Sequence, residues 1–146
     1  MYIFSCCTGI RYADMIALKD DCIEKDSEFG LVITNKRQKV SSIYSTPLWG
    51  FALEIYQEFG NSLEKIPILS NPKVNDYIKI ALEKINYHNA QQITFHTGRK
   101  TFVNHCLNDR LIEPHIVMEF TGHQDIREVK RYGKVKMKTA LRKFYQ

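Results

Sequence analysis

The chain has 146 residues, 44% of them hydrophobic and 25% charged, with a formal net charge of +5. That length fits one domain with a substantial core, and the composition is ordinary for a soluble globular protein. No apolar run approaches a membrane span, residues 1–9 lack a basic start and a cleavage site, and Cys6, Cys7, Cys22 and Cys106 form no CxxC or secreted framework, so reduced thiols in a cytosolic protein are the simplest reading.

Residues 1–7 are apolar and read as the end of a helix that Thr8-Gly9 breaks. Arg11–Lys19 reads as a second helix, with Met15, Ile16 and Leu18 apolar and Asp14 one turn after Arg11. An i,i+3 ion pair there would contribute roughly a few tenths of a kcal/mol if exposed. Between Asp20 and Thr46 the period changes. Short β-branched segments around Cys22–Ile23, Leu31–Thr34 and Val40–Ser45 predict a three-stranded antiparallel sheet. Its second turn carries Lys36, Arg37 and Lys39, cations suited either to a solvated tip or to a phosphate. Pro47 opens a helix over Leu48–Phe59 with a stripe of Leu48, Phe51, Ala52, Ile55 and Phe59. After a loop over Pro67–Pro72, Lys73–Tyr87 predicts another helix, striped by Val74, Tyr77, Ile78, Ala81, Leu82 and Ile85.

Thr94 is placed to cap a central helix on which Phe102, Val103, Cys106, Leu107 and Leu111 share one face. Extended backwards, that face reaches Arg99 and then His96. A guanidinium at the edge of a core needs an anion beside it, either a carboxylate of this chain or a ligand's phosphate. Glu113-Pro114 starts a short helix bearing Ile116, Val117 and Phe120, closed by Gly122. Asp125 and Glu128 then resemble a capping box, and Ile126, Val129 and Tyr132 follow at i, i+3 and i+6. Gly133 leaves Tyr132 at a helix end. Lys138–Tyr145 reads as a basic terminal helix. Residues 1–93 hold 10 Lys/Arg against 11 Asp/Glu, whereas 94–146 hold 11 against 5, so the segment with the His-Arg-His-Tyr set is also the basic one. A basic face suits a polyanion. His88, His105 and His115 read as structural, and His115, His123 and Cys106 lack any familiar metal-ligand spacing.

Taken together, Arg11, Lys39, His96, Arg99, His123 and Tyr132 resemble the catalytic residues of the tyrosine recombinase (phage integrase) family. Residues 8–14, TGIRYAD, are similar to that family's first box, with Arg11 as first arginine and Asp14 as its acidic support, and Leu18-Lys19 continues it. Lys39, eight residues before Pro47, fits the family's hairpin lysine better than Lys36 does. His96-Thr97-Gly98-Arg99 matches the His-x-x-Arg box, Thr121-Gly122-His123 the Gly-His box, and Tyr132 stands at the nucleophile's spacing. The position after the second arginine, often His in the family, is Lys100. The resemblance implies an α+β fold: a mostly helical catalytic domain over residues 1–146 with a small three-stranded antiparallel sheet. It also implies that the family's N-terminal core-binding domain and first catalytic-domain helix are missing here, as in an excised domain or truncated product.

The implied activity is site-specific DNA recombination through a 3′-phosphotyrosyl intermediate, without metal or cofactor. Arg11 and Arg99 would grip the non-bridging oxygens of a phosphorane with forked donors. Tyr132 would attack as phenolate, assisted by His96; His123 would donate to a non-bridging oxygen, and Lys39 would protonate the departing 5′-oxygen. Lys36, Arg37, Lys100 and Arg131 would contact DNA. The implied partners are double-stranded DNA and recombinase protomers in a tetramer on it, with no membrane, in a bacterial cytoplasm and at the nucleoid when acting. The rival readings are a non-catalytic DNA-binding fragment and, more distantly, a metal-dependent nuclease, for which no carboxylate cluster is visible.

Overall fold

The computed structural model describes residues 1–36, 43–132 and 136–144. Helix α1 (Tyr2–Thr8) ends on Gly9, whose φ of 71° is the left-handed conformation that stops a helix without steric cost for glycine. The next helix is shorter than its apolar pattern suggests. Instead of Arg11–Lys19, α2 covers Tyr12–Met15 and a single 3-10 turn covers Asp20–Cys22. Between them Ala17 N–H bonds to the Asp14 carbonyl and Leu18 N–H to that of Met15. This tighter i,i+3 winding brings Met15 and Leu18 onto the core together and turns Ile16 outward.

Strands β1 (Ile23–Asp26), β2 (Gly30–Lys36) and β3 (Ile43–Pro47) form the expected antiparallel sheet in the order β1-β2-β3, with Val32 opposite Pro47 and Lys36 opposite Ile43. Pro47 ends β3 rather than opening a helix. Helix α3 (Gly50–Glu58) starts later than expected and buries Ala52 and Tyr56, while Phe51 is 63% exposed. In α4 (Asn71–Lys84) only Val74 and Ile78 of the expected stripe are fully buried. Tyr77, Ala81 and Ile85 instead line an apolar groove of about 720 Å³ with Met1, Tyr2 and Ile3 of the first helix.

Helix α5 (Phe95–Asn108) is capped as its sequence predicts: Thr94 and Thr97 exchange side-chain-to-backbone bonds in a capping box. Helices α6 (Pro114–Thr121) and α7 (Ile126–Tyr132) follow, the latter capped by Asp125 accepting from Arg127 N–H at 2.8 Å. Helix α8 (Met137–Phe144) is tied back through the Thr139 hydroxyl and Lys136 N–H, both donating to the Asn108 side-chain oxygen at 3.0 Å.

Two apolar clusters result. One gathers Phe4, Ile10, Ile33, Tyr44, Ala52 and Phe95 between the first helices and the sheet. The other gathers Phe102, Val103, Cys106, Leu107, Val117 and Val129 under the C-terminal helices. Helix α5 contributes to both, and Arg99 lies on it between Phe95 and Phe102.

Candidate active site

The site is assembled where the chain turns between α1 and α2. Three successive carbonyl oxygens of that turn are each held by a buried side chain. Thr46 on β3 donates to Thr8 O at 3.0 Å, Arg99 Nη1 to Gly9 O at 2.7 Å, and Ser5 to Ile10 O at 2.8 Å. Arg11 is the next residue, so its backbone is set by contacts from the sheet, α5 and α1 together. Close packing also favours glycine twice here, once in the turn and once on α5. A Cβ on Gly9 would lie 2.5 Å from Phe102 Cδ1, and one on Gly98 would crowd Ser5 and Tyr2 where α5 meets α1.

Arg11 donates through Nε to Asp14 Oδ2 at 2.9 Å and through Nη2 to Oδ1 at 3.3 Å. The expected i,i+3 pair therefore exists, but not as a surface pair: Asp14 is only 2% exposed. A buried carboxylate paired with Nε and Nη2 along one edge of the guanidinium orients Arg11 rather than merely neutralising it.

Arg99 is 2% exposed, buried on the core stripe of α5. Its partners include two main-chain carbonyls that the sequence reading did not anticipate: Gly9 O as above, and Thr121 O, 2.7 Å from Nη2. Dipoles of this kind satisfy the donors without cancelling the charge. Both arginines line one cavity of about 270 Å³, shared with Ser5, Asn71 and His96.

Both histidines of the set pack against the Tyr132 ring, His96 from the cavity wall and His123 from beside Arg99. His123 follows Gly122, which ends α6 in the left-handed conformation at φ 63° and turns the chain back over Arg99. The His123 ring is 8% exposed, its Nε2 lies 3.1 Å from Arg99 Nη2, and its Nδ1 lies 2.6 Å from the Thr121 hydroxyl. His96, on the first turn of α5, lines the cavity. Partial burial, followed by the charges of Lys100, Arg99 and Arg11, holds its imidazole below the ordinary histidine value.

Tyr132, the last residue of α7, packs its ring edge-on to His96 at 5.3 Å between centroids and tilted against His123 at 5.7 Å. Lys100 Nζ lies over the same ring, 5.9 Å from its centroid. Buried Val129, one turn earlier, anchors the helix. Position at a helix end thus coexists with a docked ring. At Tyr44, also near the two arginines, burial first, and then the Asp14 carboxylate, push the phenol above the ordinary tyrosine range. It stays neutral under the site.

Of the expected DNA contacts, Lys100 and Arg131 are exposed on α5 and α7, beside Tyr132. Lys36 ends β2; Arg37 and Lys39 lie outside the described residues. His105 stacks on Trp49 and pairs with Asp109, and His115 pairs with Glu113, as structural histidines do. Among the described residues no three His, Cys, Asp or Glu side chains converge on a common point, and no helix is long and apolar enough to cross a membrane. Sequence reasoning passed over Ser5 and Thr46 and took Thr121 only as the first letter of the Gly-His box. Each is a hydroxyl residue at an otherwise apolar, buried position, which is the available signal for a side chain that holds a backbone or a ring.

The fold has solved counterparts. The XerA recombinase structure superimposes with a TM-score of 0.70 at 15% identity, covering 97% of this chain and 54% of that one. The Tn1549 transposon integrase in complex with a circular intermediate DNA gives 0.64 at 15% identity, covering 99% and 56%. The XerH site-specific recombinase bound to a palindromic difH substrate gives 0.69 at 15% identity, covering 98% and 43%. The chain thus spans about half the length of the structures it resembles. No curated protein matches it significantly. The model of the phage integrase family matches residues 1–139, nearly the whole sequence, and the chain belongs to that family.

Proposed function

We propose that this chain cuts and rejoins DNA in site-specific recombination, with Tyr132 as the nucleophile. The observation that carries the reading is the shared cavity. Arg11 and Arg99, 88 positions apart in sequence, line one space with His96, and His96 in turn touches the Tyr132 ring.

In this mechanism a DNA phosphate enters the cavity between the guanidiniums. The phenolate oxygen of Tyr132 attacks phosphorus, forming a 3′-phosphotyrosyl bond as the P–O5′ bond breaks. Negative charge rises on the non-bridging oxygens in the transition state, where Arg11 and Arg99 are already oriented by Asp14 and by the two carbonyls. His96, whose proton affinity is lowered by burial and then by its cationic neighbours, takes the phenolic proton. His123 donates to a non-bridging oxygen. Lys39 supplies the proton for the departing 5′-oxygen. Attack of a 5′-hydroxyl on the phosphotyrosine reverses the sequence, and the choice of strand decides between recombination and simple resealing.

Lys36, Arg37, Lys100 and Arg131 would hold the flanking backbone. Two of the similar structures contain DNA, the Tn1549 integrase and XerH, which supports double-stranded DNA as the partner here. Residues 1–146 would act as the catalytic domain beside a separate DNA-clamping domain, in a bacterial tetramer formed on DNA. The apolar residues Met137 and Leu141, exposed on α8, support contact between protomers. The alternative of a non-catalytic DNA-binding fragment is favoured by the half-length match alone.

A nicked duplex that loses its 5′ end on cleavage traps the covalent step. Wild type should form a slowly migrating protein–DNA adduct, and Tyr132→Phe should form none. An adduct in Tyr132→Phe would overturn the assignment. Salt-sensitive binding by both proteins with no adduct in either would favour the fragment reading.

A further inference from the structure

Thr121, 1% exposed at the end of α6, places its hydroxyl 2.6 Å from the Val117 carbonyl oxygen and 2.6 Å from His123 Nδ1. A hydroxyl carries one proton. Two oxygens that close repel unless the proton lies between them, so Thr121 donates to Val117 and accepts from the ring. Nδ1 must then hold a hydrogen. Arg99 agrees with this arrangement: its Nη2 lies 3.1 Å from Nε2 and 3.4 Å from Nδ1, and because a guanidinium only donates, the nearer Nε2 accepts. The shorter bond of that Nη2 goes to Thr121 O.

We infer that Thr121 is a positioning residue that fixes His123 in its Nδ1–H form, with Nε2 beside the Arg99 guanidinium. The functional half of this inference rests on His123 acting at the phosphate; the tautomer half does not. With Nδ1 occupied, neutral His123 presents a lone pair at Nε2. It becomes a donor to a non-bridging oxygen only by taking a proton at Nε2, giving a ring that donates from both nitrogens at once, to Thr121 and to the ligand. Without the Thr121 hydroxyl the Nδ1 proton loses its 2.6 Å acceptor, and the Nδ1–H form loses that support.

The test uses the full chain labelled with ¹⁵N, reading the two-bond ¹⁵N–¹H correlations of the histidine rings with His123→Gln to assign them. Wild type and Thr121→Ser should show the Nδ1–H pattern for His123. Thr121→Val, of nearly equal volume, should move the signals toward the Nε2–H form. In single-turnover cleavage of the nicked duplex, Thr121→Val should lose about 10- to 100-fold, the scale expected when a catalytic group is displaced by up to about 1 Å, and Thr121→Ser should recover the rate. An unchanged His123 pattern in Thr121→Val overturns the inference, as does a changed pattern with undiminished cleavage. If wild type itself fails to cleave, the functional reading falls, while the ring spectra still decide whether Thr121 sets the tautomer.

Discussion

Replacing Arg99 with lysine separates what the guanidinium holds from what it catalyses. Nη1 and Nη2 each reach a main-chain carbonyl at 2.7 Å, one at the α1–α2 turn and one at the end of α6. A single ammonium on a shorter stem cannot span both, so at least one buried carbonyl loses its donor, at a cost of about 1–3 kcal/mol. The urea midpoint should fall accordingly, with the slope unchanged. Catalysis should suffer separately. Losing a preorganised forked donor at the developing charge typically costs about 100- to 1,000-fold in rate, or roughly 3–4 kcal/mol. Single-turnover cleavage of the nicked duplex, measured well below the unfolding transition, isolates that loss from the stability change. A variant that unfolds at the wild-type midpoint and cleaves within about ten-fold of wild type would refute the role given to Arg99.

Gly9→Ala should destabilise the protein by about 2–5 kcal/mol, from the left-handed backbone and the Phe102 contact together. Denaturation monitored by circular dichroism measures it, and a loss under about 0.5 kcal/mol would mean that the turn relaxes freely. Cleavage should weaken as pH falls, because protonated His96 cannot accept the Tyr132 proton. With its pKa lowered, that decline should be centred below 6.5, and it should vanish in a slow His96→Asn variant. A pH profile identical in wild type and His96→Asn would remove His96 from the proton transfer.

How much of this was legible beforehand depended on which physics a pattern encodes. Spacing located α5, its Thr94 cap and the short helices around Gly122, because local bonds and one-sided burial decide them. Spacing misjudged Arg11–Lys19, which the fold divides into α2, i,i+3 turns and the start of a 3-10 turn. It also misjudged Phe51, Tyr77 and Ile85. An apolar residue announces that it could be buried, but not whether a neighbouring element covers it. At the site, the Arg11–Asp14 pair was readable as spacing, whereas the burial that makes it an orienting device was not. Arg99 was recognised as a charge needing partners. That these would include the carbonyls of Gly9 and Thr121 depends on a turn and a helix end that meet only in the folded chain.

Mapping the attached residue tests the central claim most directly. After trapping on the nicked duplex and nuclease trimming, mass spectrometry of the digested protein should find the nucleotide remnant on Tyr132, one of eight tyrosines in the sequence. A remnant on any other residue, with Tyr132 recovered unmodified, would contradict it.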